Sequence, residues 1–309
     1  MWQFICRRLG LMFLTALSLT FIVFFLTNLQ PNLEKLAKTE GNQRMSDIQV
    51  ESWLDDRGYN QPLLLRYGEW LGIVPGYVRT DEKGKTRGRC IRPEIKDTPS
   101  YCGLLQGSFG YSTTFDEPVG GVVSRRLGLT GILMFWVMIV MVPMALIIGI
   151  LAGMREGSKT DRTLSTVAIG LTATPEYISG VILSVIFAST IVFGERLLLP
   201  SSQTAMENIT FSNFTLPVMT MVLYGMGYIA RMTRASMAEV MTAQYIRTAR
   251  LKGVSFANIV VKHALRNALI APFTVIMLQF PWLLTGVVIV ETLFNYKSFG
   301  WLLVKAADT

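Results

Sequence analysis

An all-α protein that crosses a membrane several times is what this sequence predicts, and three observations carry the prediction. Of its 309 residues, 51% are hydrophobic and 16% charged, against about 25% charged residues in a soluble domain. The charges are also unevenly placed. Between Arg162 and Glu195 the sole Asp, Glu, Lys, Arg or His is Glu176, and charge-poor windows of this kind recur four more times. Such windows are long enough to cross the ~30 Å hydrocarbon core as helices, which takes about 20 residues each. An ordinary soluble enzyme, a disordered chain and a disulfide-stapled secreted domain are excluded.

The first span reads as Leu9 to Leu29, preceded by Arg7 and Arg8. Its apolar core is too long for a signal peptide and no small-residue cleavage site follows. Residues 1–29 are therefore a retained helix with the N-terminus in the cytoplasm. From 30 to 127 the chain is polar, with Pro, Gly and charges of both signs, and reads as one external region. Its basic residues do not contradict that side, because long loops cross largely regardless of charge. Within it Asp47 to Leu71 is expected to be helical, with Ile48, Val50, Trp53 and Leu54 and then Leu63 to Leu65 as its apolar residues. Ile73 to Leu105, rich in Gly, Pro and charge, reads as a loop or small irregular subdomain.

Residues 128–309 hold the remaining spans. The second is Leu129 to Met154, uncharged throughout, with Pro143 expected to bend it. The basic turn Arg155, Lys159, Arg162 belongs inside. The third, Leu164 to Phe193, is broken by Thr174-Pro175-Glu176, and Glu195 to Ser212 is an external connection. The fourth runs from about Phe214 to Ala230 and the fifth from Asn267 to Val290, with Glu291 to Thr309 outside. The loop 231–266 between them carries Arg231, Arg234, Arg247, Arg250, Lys252, Lys262 and Arg266 against one acid, Glu239. The positive-inside rule places it in the cytoplasm. The net charge of +8 has the same explanation, which displaces nucleic-acid binding.

That loop is the informative part. Ile246, Ala249 and Leu251 alternate with Arg247, Arg250 and Lys252, and Gly253 closes the run. The pattern predicts a short amphipathic helix with a basic rim and a glycine suited to the left-handed C′ position. A second helix is expected from near Phe256 into the fifth span. An apolar helix face outside the bilayer needs a cover, and on physics alone the membrane surface and another protein are near even.

From Met232 to Pro272 the sequence strongly resembles the coupling loop of the permease subunits of bacterial ABC importers, in their oligopeptide/dipeptide branch. Arg247, Thr248 and Ala249 stand at the positions of that family's EAA motif and Gly253 at its glycine. Ile246-Arg-Thr-Ala-Arg-Leu-Lys-Gly253 and His263-Ala-Leu-Arg-Asn-Ala-Leu269 are the forms typical of the peptide branch. Further likenesses lie in Arg7-Arg8, Pro31, Gly58-Tyr-Asn-Gln-Pro-Leu63, Gly107-Ser-Phe-Gly-Tyr-Ser112, Glu291-Thr-Leu-Phe294 and Phe299-Gly-Trp-Leu302. After Pro31 the chain departs from the family's Gly-Asp-Pro continuation, and 73–105 is an insertion relative to it.

The resemblance implies the type I ABC importer transmembrane fold, five spans being visible here and an expected sixth missing at the C-terminus. It implies a multi-pass bacterial inner-membrane subunit that is not itself an enzyme. Its partners would be a second, homologous permease subunit, two ATPase subunits that bind ATP and Mg, and an extracytoplasmic binding protein delivering peptides or related small solutes. Tyr245, Ile246, Arg247, Thr248, Ala249, Arg250, Leu251, Lys252 and Gly253 would couple this chain to the ATPases. No nucleotide site is expected in the chain itself: Gly84-Lys85-Thr86 mimics the end of a P-loop, but Arg79 stands where its first glycine is needed. A secondary transporter or channel working without an ATPase is the alternative, though it should show inverted repeats or several buried charges.

Three further residues stand out. Cys90 and Cys102, in an oxidising external compartment, are expected to close a loop worth roughly 3 kcal/mol of local order, two free thiols being the alternative. Glu176 is an intramembrane carboxylate, read either as lining the translocation pathway or as a structural group at a helix break. With one histidine, His263, and no Cys/His cluster, no metal site is expected.

Overall fold

Helix α1 (Trp2–Thr27) is 26 residues long, and none of its most apolar window is buried, as suits a lipid-facing span. It begins seven residues before the expected Leu9 and stops at Asn28, whose side-chain amide donates to the Phe24 carbonyl at 2.8 Å. The computed structural model describes all residues except 81–85, 89, 91–98, 113, 189–190, 193–194, 197, 200 and 309. They form two compact units, Met1–Val122 and Val123–Thr309.

In the first unit α2 (Gln30–Glu40) follows α1, started by Pro31 in its first turn, a helix not expected from composition. The single helix expected over Asp47 to Leu71 is two, α3 (Asp47–Asp56) and α4 (Leu63–Leu71). Gly58 at φ +78° and Pro62 turn the chain between them, conformations that a continuous helix does not accept. Leu33 and Ala37 of α2 pack on Val50, Trp53 and Leu54 of α3. Helix α4 holds α1 through Tyr67, whose ring lies 5.2 Å from Phe21 and 5.3 Å from Phe24 and whose hydroxyl is 2.9 Å from Thr20 Oγ1. Between Ile73 and Leu105, β1 (Val78–Thr80) pairs antiparallel with β2 (Thr86–Gly88). Cys90 and Cys102 are joined in a disulfide with Cα atoms 5.5 Å apart. A two-residue ribbon, β3 (Tyr111–Ser112) with β4 (Glu117–Pro118), precedes the next helix.

Helix α5 (Val119–Gly153) runs from there into the second unit, starting ten residues before the expected Leu129. Helices α6 (Lys159–Ala173) and α7 (Glu176–Ala188) follow, bent by 105° at their junction. The expected third span is therefore two helices at nearly a right angle. Pro175 explains it: proline cannot donate to the helix and forces Thr174 into extended backbone, at φ −90° and ψ 119°. The end of that span at Phe193 lies outside the described residues. The ribbon β5 (Ile191–Val192) and β6 (Glu195–Arg196) leads toward α8 (Phe211–Thr242).

Helix α8 is the centre of the second unit, packed against α6, α7 and the later helix α12. It does not end at Ala230 but continues unbroken to Thr242, so the basic loop begins as helix. It is followed by α9 (Gln244–Leu251), the turn α10 (Phe256–Asn258), a π-helical segment Ile259–Ala264, the turn α11 (Leu265–Ala268), α12 (Ile270–Leu293) and α13 (Phe299–Asp308). Close approach of α5 to α8 rests on Gly149 and Gly153. A Cβ at Gly149 would lie 2.4 Å from the Thr233 Cβ and 2.6 Å from the Ala230 carbonyl oxygen, and one at Gly153 would lie 2.7 Å from the Arg234 carbonyl oxygen. Small residues four apart let helix backbones touch in this way.

Among the described residues α1, α5 and α12 are long and apolar enough to cross a membrane, and α6 with α7 makes a fourth if the bent pair is one span. Five were expected. The difference is α8, which has the length but whose span region includes Thr220, Gly225 and Gly227, all buried. A helix enclosed by other helices meets protein rather than lipid, so small and polar residues suit it better than uniform apolarity.

Candidate functional site: a basic helix on the cytoplasmic loop

Helix α9 is eight residues long and stands on a small core of its own. Ile246 is fully buried and Ala249 is 9% exposed, both packed among Met237 and Met241 of α8, Ile259, Val260 and Ala264 of the π segment, and Ala268. The apolar face of the helix is therefore covered by its own chain and needs no membrane or partner over it. Leu251 does not belong to that face. Five residues on from Ile246 it lies well round the helix, and it is 84% exposed. Arg247, Thr248, Arg250 and Lys252 are exposed beside it, and Tyr245 is 42% exposed. The outward surface is thus cationic with two apolar projections.

The helix ends as its sequence suggests. Gly253 has φ +75°, its N–H donates to the Arg250 carbonyl at 3.0 Å, and the Val254 N–H reaches back to the Ala249 carbonyl at 3.2 Å. That is a Schellman-type close, which a residue with a Cβ strains. At the other end the Tyr245 hydroxyl accepts from Asn267 Nδ2 at 2.9 Å. The expected second helix from Phe256 is present but passes through the π segment, a local widening common at functional sites.

Two charged residues whose pairing the sequence did not show anchor this region. Asp161, in the first turn of α6 and 2% exposed, accepts from Arg234 of α8 through both carboxylate oxygens, at 2.9 Å and 2.8 Å. Its oxygens also accept from the Gly157 N–H at 2.8 Å and the Ser165 hydroxyl at 3.1 Å. The pair sits at the charged end of α6, before its apolar stretch begins at Leu164, and Arg234 holds the Asp161 carboxyl well below the usual carboxylate range. Nothing local signalled the partnership, since the residues lie 73 positions apart.

Glu291, seen in the sequence only as part of Glu291-Thr-Leu-Phe294, is fully buried near the end of α12. It accepts from Thr130 Oγ1 at 2.7 Å and from the Trp301 N–H at 3.0 Å, while Thr130 Oγ1 accepts from the Phe299 N–H at 3.0 Å. Glu291 and Thr130 thus cap the first turn of α13 from outside it. A lone acid in an apolar run was the available signal.

Glu176 opens α7 at the 105° break, half-buried and away from the basic helix. The Cys90–Cys102 pair belongs to the first unit. The predicted site residues therefore fall into separate places, and those from Tyr245 to Gly253 lie together on one helix and its closing turn, Ile246 and Ala249 facing inward.

Residues 145–309 match the family described as binding-protein-dependent transport system inner membrane component. A probable peptide ABC transporter permease protein of Sinorhizobium fredii is 30% identical over 310 residues, covering 99% of this chain and 87% of its own length. A di/tripeptide transport system permease protein of Pseudomonas aeruginosa is 29% identical over 99% of this chain and 88% of its own length. A glutathione transport system permease protein of Salmonella typhimurium is 35% identical over 209 residues, 66% of this chain and 64% of the relative.

Proposed function

The chain belongs to the family of inner-membrane components of binding-protein-dependent transport systems, and from that premise we propose that it carries peptides or related small solutes inward, driven through Tyr245–Gly253 by ATPase partners. It is a permease subunit of an ABC importer, and the ATPase-independent alternative is not favoured. In the proposed assembly a second permease subunit completes the pathway, two ATPase subunits hold ATP and Mg, and a binding protein delivers the substrate. The N-terminus lies in the cytoplasm. What supports peptides as the substrate class is the naming of relatives that align along nearly all of the chain.

The observation that carries the coupling role is the division of α9 into a buried and an exposed side. Ile246 and Ala249 key the helix into α8 and the π segment, so a push on its outer surface reaches those two elements with little slack. Arg247, Arg250 and Lys252 offer donors to acidic or carbonyl groups, and Leu251 offers an apolar knob. A helix with a fixed inner face and a solvent-facing polar one suits a lever gripped from outside.

The test is capture of the ATPase subunits by the purified chain. Leu251→Asp changes a residue 84% exposed, so the chain itself should fold unchanged. ATPase capture and peptide uptake should both fall at least tenfold. Undiminished capture and uptake would remove the coupling assignment.

A further inference from the structure

At the break between α6 and α7 a carboxylate and an aromatic side chain approach the same glycine. Glu176 reaches toward Gly286 of α12, where a Cβ would lie 3.7 Å from its Oε1. The same point lies 3.3 Å and 3.4 Å from indole carbons of Trp282, one turn earlier on α12. Trp282 in turn stacks on Tyr224 of α8, ring centroids 4.9 Å apart and planes 22° apart. All three side chains are half-buried. Glycine at 286 leaves open the point that both the carboxylate and the indole border.

Among the described residues no cation pairs with this carboxylate. Helices α7 and α12, and α8 as far as Ala230, contain no Lys, Arg or His. Among the described residues the Glu176 carboxylate makes no hydrogen bond or ion pair. Its place in the first turn of α7 suits the helix dipole, but that accounts for neither the aromatic pair nor the glycine. A carboxylate that shares a glycine-opened space with an indole, itself stacked on a phenol ring, is a composition that receives an ammonium group, by charge and by attraction to ring faces within about 6 Å.

We propose that Glu176, Tyr224 and Trp282 form a subsite that receives the free α-ammonium group of a peptide during its passage. This rests on the peptide-importer reading and deepens it. On leaving the binding protein the ammonium gives up the groups that held it there, and the subsite returns a countercharge and polarizable faces at the bend. Binding is weak enough for release because a single carboxylate supplies the charge.

The experiment uses the full complex in proteoliposomes with its binding protein. Uptake of trialanine is compared with that of N-acetyl-trialanine. Delivery by the binding protein is common to every variant, so the ratio of the two isolates this chain. Glu176→Gln should lower the ratio about tenfold, Trp282→Leu should lower it several-fold, and Glu176→Asp should largely restore it. A ratio unchanged in Glu176→Gln overturns the proposal. So does an equal loss of both peptides, or loss of the second permease from the purified complex, which would assign Glu176 to structure or to an ion pair between subunits. A wild-type complex whose ATPase activity responds to binding protein but which takes up neither peptide removes the peptide reading itself, a failure recognisably different from the others.

Discussion

Gly253 shows how a single backbone conformation separates two kinds of cost. At φ +75° a non-glycine residue costs about 1 kcal/mol, less for Asn, whose side chain tolerates the left-handed region. An added Cβ meets nothing within 4 Å in the chain alone. Thermal stability should therefore fall in the order Gly253, Gly253→Asn, Gly253→Ala. If an ATPase surface closes over this turn, uptake should instead fall in the order Gly253, Gly253→Ala, Gly253→Asn, because the larger side chain obstructs docking. Uptake that merely follows stability would show that the turn is not part of the contact. Asp161 poses the opposite case, a buried charge whose partner is everything. Losing one member of such a pair costs about 3 kcal/mol, so Asp161→Asn should lower the melting temperature by several degrees. Its folded-state pKa lies below the ordinary value, so its contribution is complete above about pH 4 and lost as pH falls further. The destabilisation by Asp161→Asn should be the same at pH 6 and pH 8, and a marked difference between them would refute the assignment.

Helix packing in the second unit depends on side chains being absent as much as present. Gly149→Ala would press a methyl group against Thr233 and the Ala230 carbonyl, so α5 and α8 must part, at a cost of about 2 kcal/mol. Gly131 lies on the same helix with nothing within 4 Å of an added Cβ, so Gly131→Ala should be neutral or slightly stabilising. Equal losses of assembled protein for the two variants would contradict the close packing. The same elements show what was legible in the sequence. Long apolar runs announced α1, α5 and α12, because lipid demands uniform apolarity. Helix α8 was legible only in part: its buried Gly225 and Gly227 sit against Met141 of α5 and Ala168 of α6, which a linear pattern does not reveal. Pro175 gave the place of the break but not its 105°, which depends on what the two arms pack against. In the basic loop the left-handed glycine was legible from its neighbours alone. The assignment of Leu251 to the apolar side failed because alternation along a short run does not follow the helical period. Asp161 with Arg234, and Glu291 with Thr130, join residues distant in sequence, and no local rule pairs them.

Charge predicts which side of the membrane each part occupies, and the three cysteines make that prediction measurable. Cys6 is free and exposed, just before Arg7 and Arg8 near the start of α1. At 1.5 Å per residue the 26-residue helix is about 39 Å long, more than the ~30 Å apolar core, so its first turns reach the headgroups or beyond. Cys90 and Cys102 are consumed by their disulfide. With an N-terminus held inside by Arg7 and Arg8, a membrane-impermeant maleimide should label Cys6 in inside-out vesicles and leave right-side-out vesicles unlabelled. Adding an impermeant reductant to right-side-out vesicles should then expose two further thiols, because residues 30–127 would lie on the outer face. A Lys252→Cys variant should label from the same side as Cys6 if, as proposed, the basic rim of α9 meets ATPase partners in the cytoplasm. Labelling of Cys6 and of residue 252 from opposite faces would break the link between orientation and coupling. Labelling of all three native cysteines without reductant would instead refute the disulfide and leave the orientation to be read from Lys252→Cys alone.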